Sequence, residues 1–163
     1  MNSIWFDMDG TIAELYKVKD WLPALRSNDW SVYDKCLPRA HFERINTAIE
    51  ALVANGWQVG VITWASKGVG WDRHLDAIGE TKFEWLCRFF PSLADSKFAC
   101  IPYGEDKGLY MIHQMNTNYD PSNIYYLVDD NKEVRAAWRK HGENFKTIDA
   151  SRSFHRAIEG LVL

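Results

Sequence analysis

Two carboxylates, Asp7 and Asp9, stand one residue apart, just after the short apolar run Ile4-Trp5-Phe6 and just before Gly10-Thr11. Side chains at i and i+2 of a strand point the same way, so this spacing lets both acids converge on one electrophilic centre. One can attack it as a nucleophile while the other gives a proton to the departing oxygen. Gly10-Thr11 lets the backbone turn tightly and predicts N–H groups free to face an anion. The plain alternative is an ordinary turn with acids at its strand end. A second acidic pair, Asp129-Asp130, follows the run Tyr125-Tyr126-Leu127-Val128, and Thr63 follows Val61-Ile62.

These residues need a scaffold that brings strand ends together. Five short apolar runs, Ile4–Phe6, Gln58–Ile62, Lys97–Ile101, Ile124–Val128 and Phe145–Ile148, alternate with helical patterns. That alternation predicts a mainly parallel five-stranded sheet in an α/β, Rossmann-like three-layer sandwich. Helices are expected around His41–Asn55, over Lys82–Phe90, from Asp106 to Met115, after the N-cap Asn131, and over Arg152–Leu161. Residues Ala13–Arg39 fit no strand–helix–strand unit, because a right-handed crossover needs no such insertion. There is room in it for two short helices.

Length and composition narrow the function. At 163 residues the chain is expected to be one domain that buries about 70% of its unfolded surface. A net charge of −3 argues against a general nucleic-acid coat. Three cysteines, Cys36, Cys87 and Cys100, form no CxxC and read as reduced thiols, which makes the cytoplasm the expected location. No apolar stretch is long enough for a membrane span. The histidines show no metal-ligand spacing, and no Gly-rich phosphate loop is present. Of the eight tryptophans, Trp5, Trp57, Trp85 and Trp138 are expected in or near the core.

Phe6-Asp7-Met8-Asp9-Gly10-Thr11 resembles the first motif of the haloacid dehalogenase (HAD) superfamily. Three further segments follow in that family's order. Val61-Ile62-Thr63-Trp64-Ala65-Ser66 is similar to its second motif, Lys107 in Glu105-Asp106-Lys107-Gly108 to its third, and Leu127-Val128-Asp129-Asp130-Asn131 to its fourth in the Asp-Asp form. Lys97 is the weaker candidate for the third motif. The resemblance covers nearly the whole chain outside 13–39, where the family inserts a C1 cap; a small helical cap is implied.

The same resemblance implies a Mg²⁺-dependent phosphomonoester hydrolase. Asp7 would form an aspartyl-phosphate and Asp9 would act as acid, then base. Thr63, helped by the Trp64 backbone N–H, would bond a phosphoryl oxygen, with Gly10 and Thr11 alongside. Lys107 would offset the clustered carboxylates. Mg²⁺ would be held by Asp7, the Asp9 carbonyl, and Asp129 or Asp130. The expected partner is a small phosphorylated substrate, a nucleotide first; Trp21 and Trp30 in the insertion are candidates to stack on its base, with packing of the cap as the alternative. Similarity to deoxyribonucleotidases and to polynucleotide 3′-phosphatase domains keeps a nucleic-acid end open, and a phosphoprotein is a further alternative. A HAD-fold binding or scaffold module is the non-enzymatic one.

Overall fold

A computed structural model describes residues 1–115 and 119–162. Its sheet holds β1 (Ser3–Phe6), β2 (Gln58–Trp64), β3 (Lys97–Ile101), β4 (Tyr125–Asp129) and β5 (Phe145–Asp149) in the order β3-β2-β1-β4-β5. All four pairings are parallel, with Phe6 beside both Val61 and Val128. The chain builds outward from β1 on one side and then returns to the other. The carboxyl ends of β2, β1 and β4 therefore meet at the point of reversal, where open α/β sheets leave a crevice.

The expected helices are present, with two changes of extent. α3 (Phe42–Ala54) buries Ile45, Ile49 and Leu52 and stops at Asn55-Gly56, where Gly56 takes φ 77°. α4 is longer than its sequence suggests and runs over Arg73–Phe89, not from Lys82. Asp72 caps it by accepting the His74 N–H at 2.8 Å, and Pro91 begins the next short helix, α5 (Pro91–Ala94). Gly79 and Thr81 weaken the helical signal of its first half, while burial of Leu75 and Ile78 restores it. α6 (Lys107–Tyr110) passes into a π-helical turn, Met111–Met115. α7 (Lys132–Arg139) is capped by Asn131, which accepts the Glu133 and Val134 N–H groups. α8 is the shorter His155–Glu159.

Two apolar layers flank the sheet. One gathers Ile4, Phe6, Val59 and Val61 with α3, α4 and α8; the other gathers Trp5, Ile62, Leu127 and Trp138 around α6 and α7. Gly60 lies beside Trp5, and a Cβ there would overlap the indole.

Between β1 and α3 the chain forms a 3₁₀ turn, Leu15–Lys17, and two short helices, α1 (Trp21–Arg26) and α2 (Ser31–Asp34). The two ends of this insertion are clasped: Glu14 N–H bonds the Leu37 carbonyl at 2.9 Å and Arg39 N–H bonds that of Ile12 at 2.8 Å. Inside it Leu15, Val32, Tyr33 and Cys36 are buried, and Trp85 of α4 donates to the Cys36 carbonyl at 2.8 Å. All three cysteines are free thiols. No helix among the described residues is long and apolar enough to cross a membrane.

Candidate active site

Asp7 follows β1 directly, and its N–H continues the ladder to the Val128 carbonyl at 2.9 Å. That bond fixes Asp7 beside Asp129, the last residue of β4. Oxygens of Asp7, Asp129 and Asp130 all lie within 4.8 Å of one another. So many like charges need cations. Lys107 Nζ meets Asp7 Oδ1 at 2.6 Å and Asp129 Oδ2 at 2.8 Å, under the Trp64 ring. Its position is set by α6, whose cap Asp106 accepts the Gly108 and Leu109 N–H groups and also contacts His141 at 2.9 Å. Lys97, in contrast, is an exposed residue opening β3 and bonds the Met115 carbonyl.

After Asp7 the backbone reverses sharply. Gly10 takes φ 80°, and a Cβ there would sit 2.6 Å from Asp130 Oδ2 and overlap Tyr16. One expectation is corrected here. The N–H groups of Gly10 and Thr11 are spent inside the turn, on the carbonyls of Ala13 and Met8. In this turn it is the N–H groups of Met8 and Asp9 that have no partner among the described residues. Thr11 acts through its hydroxyl instead, which accepts the Asp130 N–H at 3.1 Å and reaches both Asp7 Oδ2 and Asp130 Oδ1 at 3.4 Å.

Sequence reasoning missed Lys82. It lies in the middle of α4 and is 0% exposed. Its Nζ donates to Asp9 Oδ2 at 2.7 Å, Thr63 Oγ1 at 2.9 Å and the Trp64 carbonyl at 2.7 Å. The Tyr33 ring from the insertion covers it, with Nζ 4.5 Å from the ring centre. The signal was available: Leu75, Ile78, Lys82, Trp85 and Leu86 form one buried stripe, and a lysine on such a stripe is rare without a partner.

Thr63 is buried as a strand residue and bonded to Lys82. Ala65 N–H bonds the Ile101 carbonyl of β3 at 2.7 Å, so the alternation of the ladder turns the Trp64 N–H the other way, toward β1. The Trp64 indole N–H is taken by the Glu105 carbonyl at 2.9 Å, which leaves its ring as a wall. Asp9, Trp64 and Lys107 line a cavity of about 450 Å³ roofed by Tyr16, Trp21 and Leu25. Trp21 packs edge-on against Tyr16 at 5.1 Å. Trp30 does not line this cavity; it lies 6.0 Å from the His74 ring and packs on the core.

Burial and crowding reshape the charges. Burial raises the Asp9 carboxyl above its ordinary range, opposed by Lys82 and reinforced by Asp7. Burial, with Lys107 opposing and Asp7 adding, also raises Asp129. Asp130 is pushed up to about 6 by burial and by Asp7 and Asp129. Burial works against the Lys107 ammonium, yet Asp129 and Asp7 more than offset it and raise its pKa.

A divalent cation suits this donor set. The three acids offer hard oxygens, and a Mg²⁺ ion about 2.1 Å from each ligand holds oxygens up to about 4.2 Å apart, close to the spacing seen here. Both Asp129 oxygens already accept hydrogen bonds, from Lys107 and from the Asn131 N–H at 2.8 Å. Among the described residues the Asp130 carboxylate meets only Thr11, at 3.4 Å, and so is the freer one.

No family model matches the sequence, and no curated protein does. Solved structures do. A D,D-heptose 1,7-bisphosphate phosphatase from B. bronchiseptica, complexed with magnesium and phosphate, aligns over 99% of both chains at 16% identity with a TM-score of 0.57. The D,D-heptose 1,7-bisphosphate phosphatase from Burkholderia thailandensis aligns over 96% of this chain and 97% of its own, at 17% identity and a TM-score of 0.51. The chain shares the fold of these proteins, as the motif order led one to expect.

Proposed function

We propose that the protein is a Mg²⁺-dependent phosphomonoesterase acting through an aspartyl-phosphate on Asp7. The observation that carries this reading is the convergence of Asp7, Asp129 and Asp130 around one point, with Lys107 bridging Asp7 and Asp129. Lys107 is bonded to Asp7 Oδ1 at 2.6 Å, whereas Oδ2 has only the long 3.4 Å contact from the Thr11 hydroxyl among the described residues and would be the attacking atom. The N–H groups of Met8 and Asp9 and that of Trp64 would receive phosphoryl oxygens. Asp9, whose carboxyl burial raises against the opposing pull of Lys82, would deliver a proton to the leaving oxygen and later recover one from the hydrolytic water. Asp7, the Asp9 carbonyl and Asp130 would hold Mg²⁺, with Asp129 behind them. The bound ion would offset the repulsion between an anionic nucleophile and a dianionic ester.

For the substrate we favour a nucleotide. The cavity volume falls in the range of small-molecule sites, and Tyr16, Trp21, Tyr33 and Tyr103 give it an aromatic lining suited to a base. A second reading is a bisphosphate of a small sugar. Arg26 and Lys67 also line the cavity, and two cations there suit a second anionic group. The test is Mg²⁺-dependent phosphate release across nucleotides, sugar mono- and bisphosphates, 3′-phosphorylated oligonucleotides and phosphopeptides. Nucleotides should be preferred; preference for another arm replaces the substrate. No turnover of any ester, a generic aryl phosphate included, would leave a HAD-fold binding module.

A further inference from the structure

Lys82 is a fully buried ammonium that the reaction outlined above does not use. An ammonium has three hydrogens to donate and no lone pair to accept with. All three are engaged, on Asp9 Oδ2, Thr63 Oγ1 and the Trp64 carbonyl, within 2.9 Å. Its orientation is therefore fixed. The consequence falls on its partners. The hydroxyl oxygen of a carboxylic acid is a much poorer acceptor than its carbonyl oxygen, so the N–H aimed at Oδ2 favours a protonated Asp9 that carries its hydrogen on Oδ1. Asp9 Oδ1 has no protein partner among the described residues, the side chain is 19% exposed, and Asp9 lines the cavity. Thr63 is constrained in the same sense: accepting from Lys82, its hydroxyl keeps its own hydrogen for an acceptor elsewhere.

Resting on the phosphomonoesterase reading, we infer that Lys82 is a positioning residue for the general acid, selecting the Asp9 oxygen that carries the proton. In the step itself an Asp7 oxygen forms a bond to phosphorus while the bond to the ester oxygen breaks. The departing oxygen keeps that electron pair and takes the hydrogen from Asp9 Oδ1. The carboxylate left on Asp9 then faces the Lys82 ammonium already bonded to it. Tyr33 closes the arrangement from the insertion: its ring lies over Lys82 and its hydroxyl is 2.7 Å from Ser66 Oγ. Lys82 thus differs from Lys107, which touches the nucleophile and Asp129 but not the acid.

The test compares 2,4-dinitrophenyl phosphate, whose leaving group departs without a proton, with phenyl phosphate, whose leaving group needs one. Wild-type turnover of these esters tests the phosphomonoesterase reading on its own; with neither hydrolysed, that reading fails and this one falls with it. With turnover present, the readout is the ratio of the two kcat values. General acid catalysis contributes about 10²–10⁴-fold, and Lys82→Met should widen the ratio about 10- to 100-fold by misdirecting it. Equal losses on both esters would mean that Lys82 only holds the fold, and would overturn the assignment. Lys82→Met also leaves Asp9 without its cation, so the double variant Lys82→Met/Asp9→Asn, which has no unpaired charge, carries the test if the single one does not fold. It should show the same ratio as Asp9→Asn alone, because Lys82 acts through Asp9. A ratio that widens further in the double variant would show independent action and would also overturn it.

Discussion

The floor of the cavity and its roof are built in opposite ways. The floor is the carboxyl end of three paired strands, where every charged group but Asp130 is tied by at least one bond under 3 Å. The roof is the insertion, in which α1 buries no residue and has no side-chain cap, and Asp20 and Asn28 take positive φ without being glycine. A ladder of backbone bonds places a side chain to within a fraction of an ångström; two short helices clasped at their ends do not. The difference assigns the work. The floor can hold the chemistry, and the roof can vary with the substrate.

If that division is right, the largest effects belong to the floor. Asp7→Asn should abolish turnover of every ester, by at least about 10³-fold, and no phosphorylated protein should be trapped after acid quench and mass spectrometry. Normal turnover in this variant would end the nucleophile assignment. Lys107→Met comes next: it leaves Asp7 and Asp129 facing each other without their shared cation. A loss of about 10²–10³-fold in kcat, of the size seen when one preorganised electrostatic contact is removed, is expected for all esters alike. A loss confined to nucleotides would move Lys107 from the reaction to substrate recognition.

The floor was legible in the sequence for the same physical reason that it is rigid. Parallel strands give short apolar runs, and the residues at their ends sit at one edge, so Asp7, Thr63 and Asp129 could be placed on that edge from spacing, and side by side from the strand order that the resemblance implies. Lys107 could be placed because the resemblance implies a lysine at a helix start between the third and fourth strands, and Lys107 stands at such a start. Lys82 was harder to place: the apolar stripe on which it stands is in the sequence, but the weak first half of α4 masked it, and its partners are brought to it by tertiary packing. The turn N–H groups were misassigned because which of them are spent depends on the backbone path, with Gly10 and Thr11 consumed and Met8 and Asp9 left. Trp21 and Trp30 read alike in sequence, nine positions apart in one insertion. Only the packing separates them.

That separation sharpens the comparison within the roof. Trp21 lines the cavity, so Trp21→Ala should raise the nucleotide KM about 5- to 150-fold, the equivalent of about 1–3 kcal/mol of stacking, and change aryl phosphate kinetics much less. Trp30 packs against His74 and the core, so Trp30→Ala should lower Tm while leaving the nucleotide KM near its original value. Equal KM effects from the two would mean that the roof acts as one body and does not read a base through Trp21.

The smallest effect returns to the floor and concerns its one loosely held acid. Asp130 titrates near 6 because burial and the charges of Asp7 and Asp129 oppose its ionisation. An ordinary aspartate titrates near 3.9. The metal-free native protein therefore holds this proton more tightly than the unfolded chain does. Below about pH 4 both states are protonated and nothing is lost; as pH rises through 6 the native state loses stability relative to the unfolded one. Asp130→Asn removes the titration. In the presence of a chelator it should stabilise the fold at pH 7 by about 1–2 kcal/mol, after discounting for the solvent that screens this partly exposed group, and the advantage should disappear near pH 4. Mg²⁺ reverses the sign: the wild type, with a carboxylate to offer, should gain more in Tm from the ion than the variant does. A variant that gains as much as the wild type would show that Asp130 is not a ligand and would return that role to Asp129.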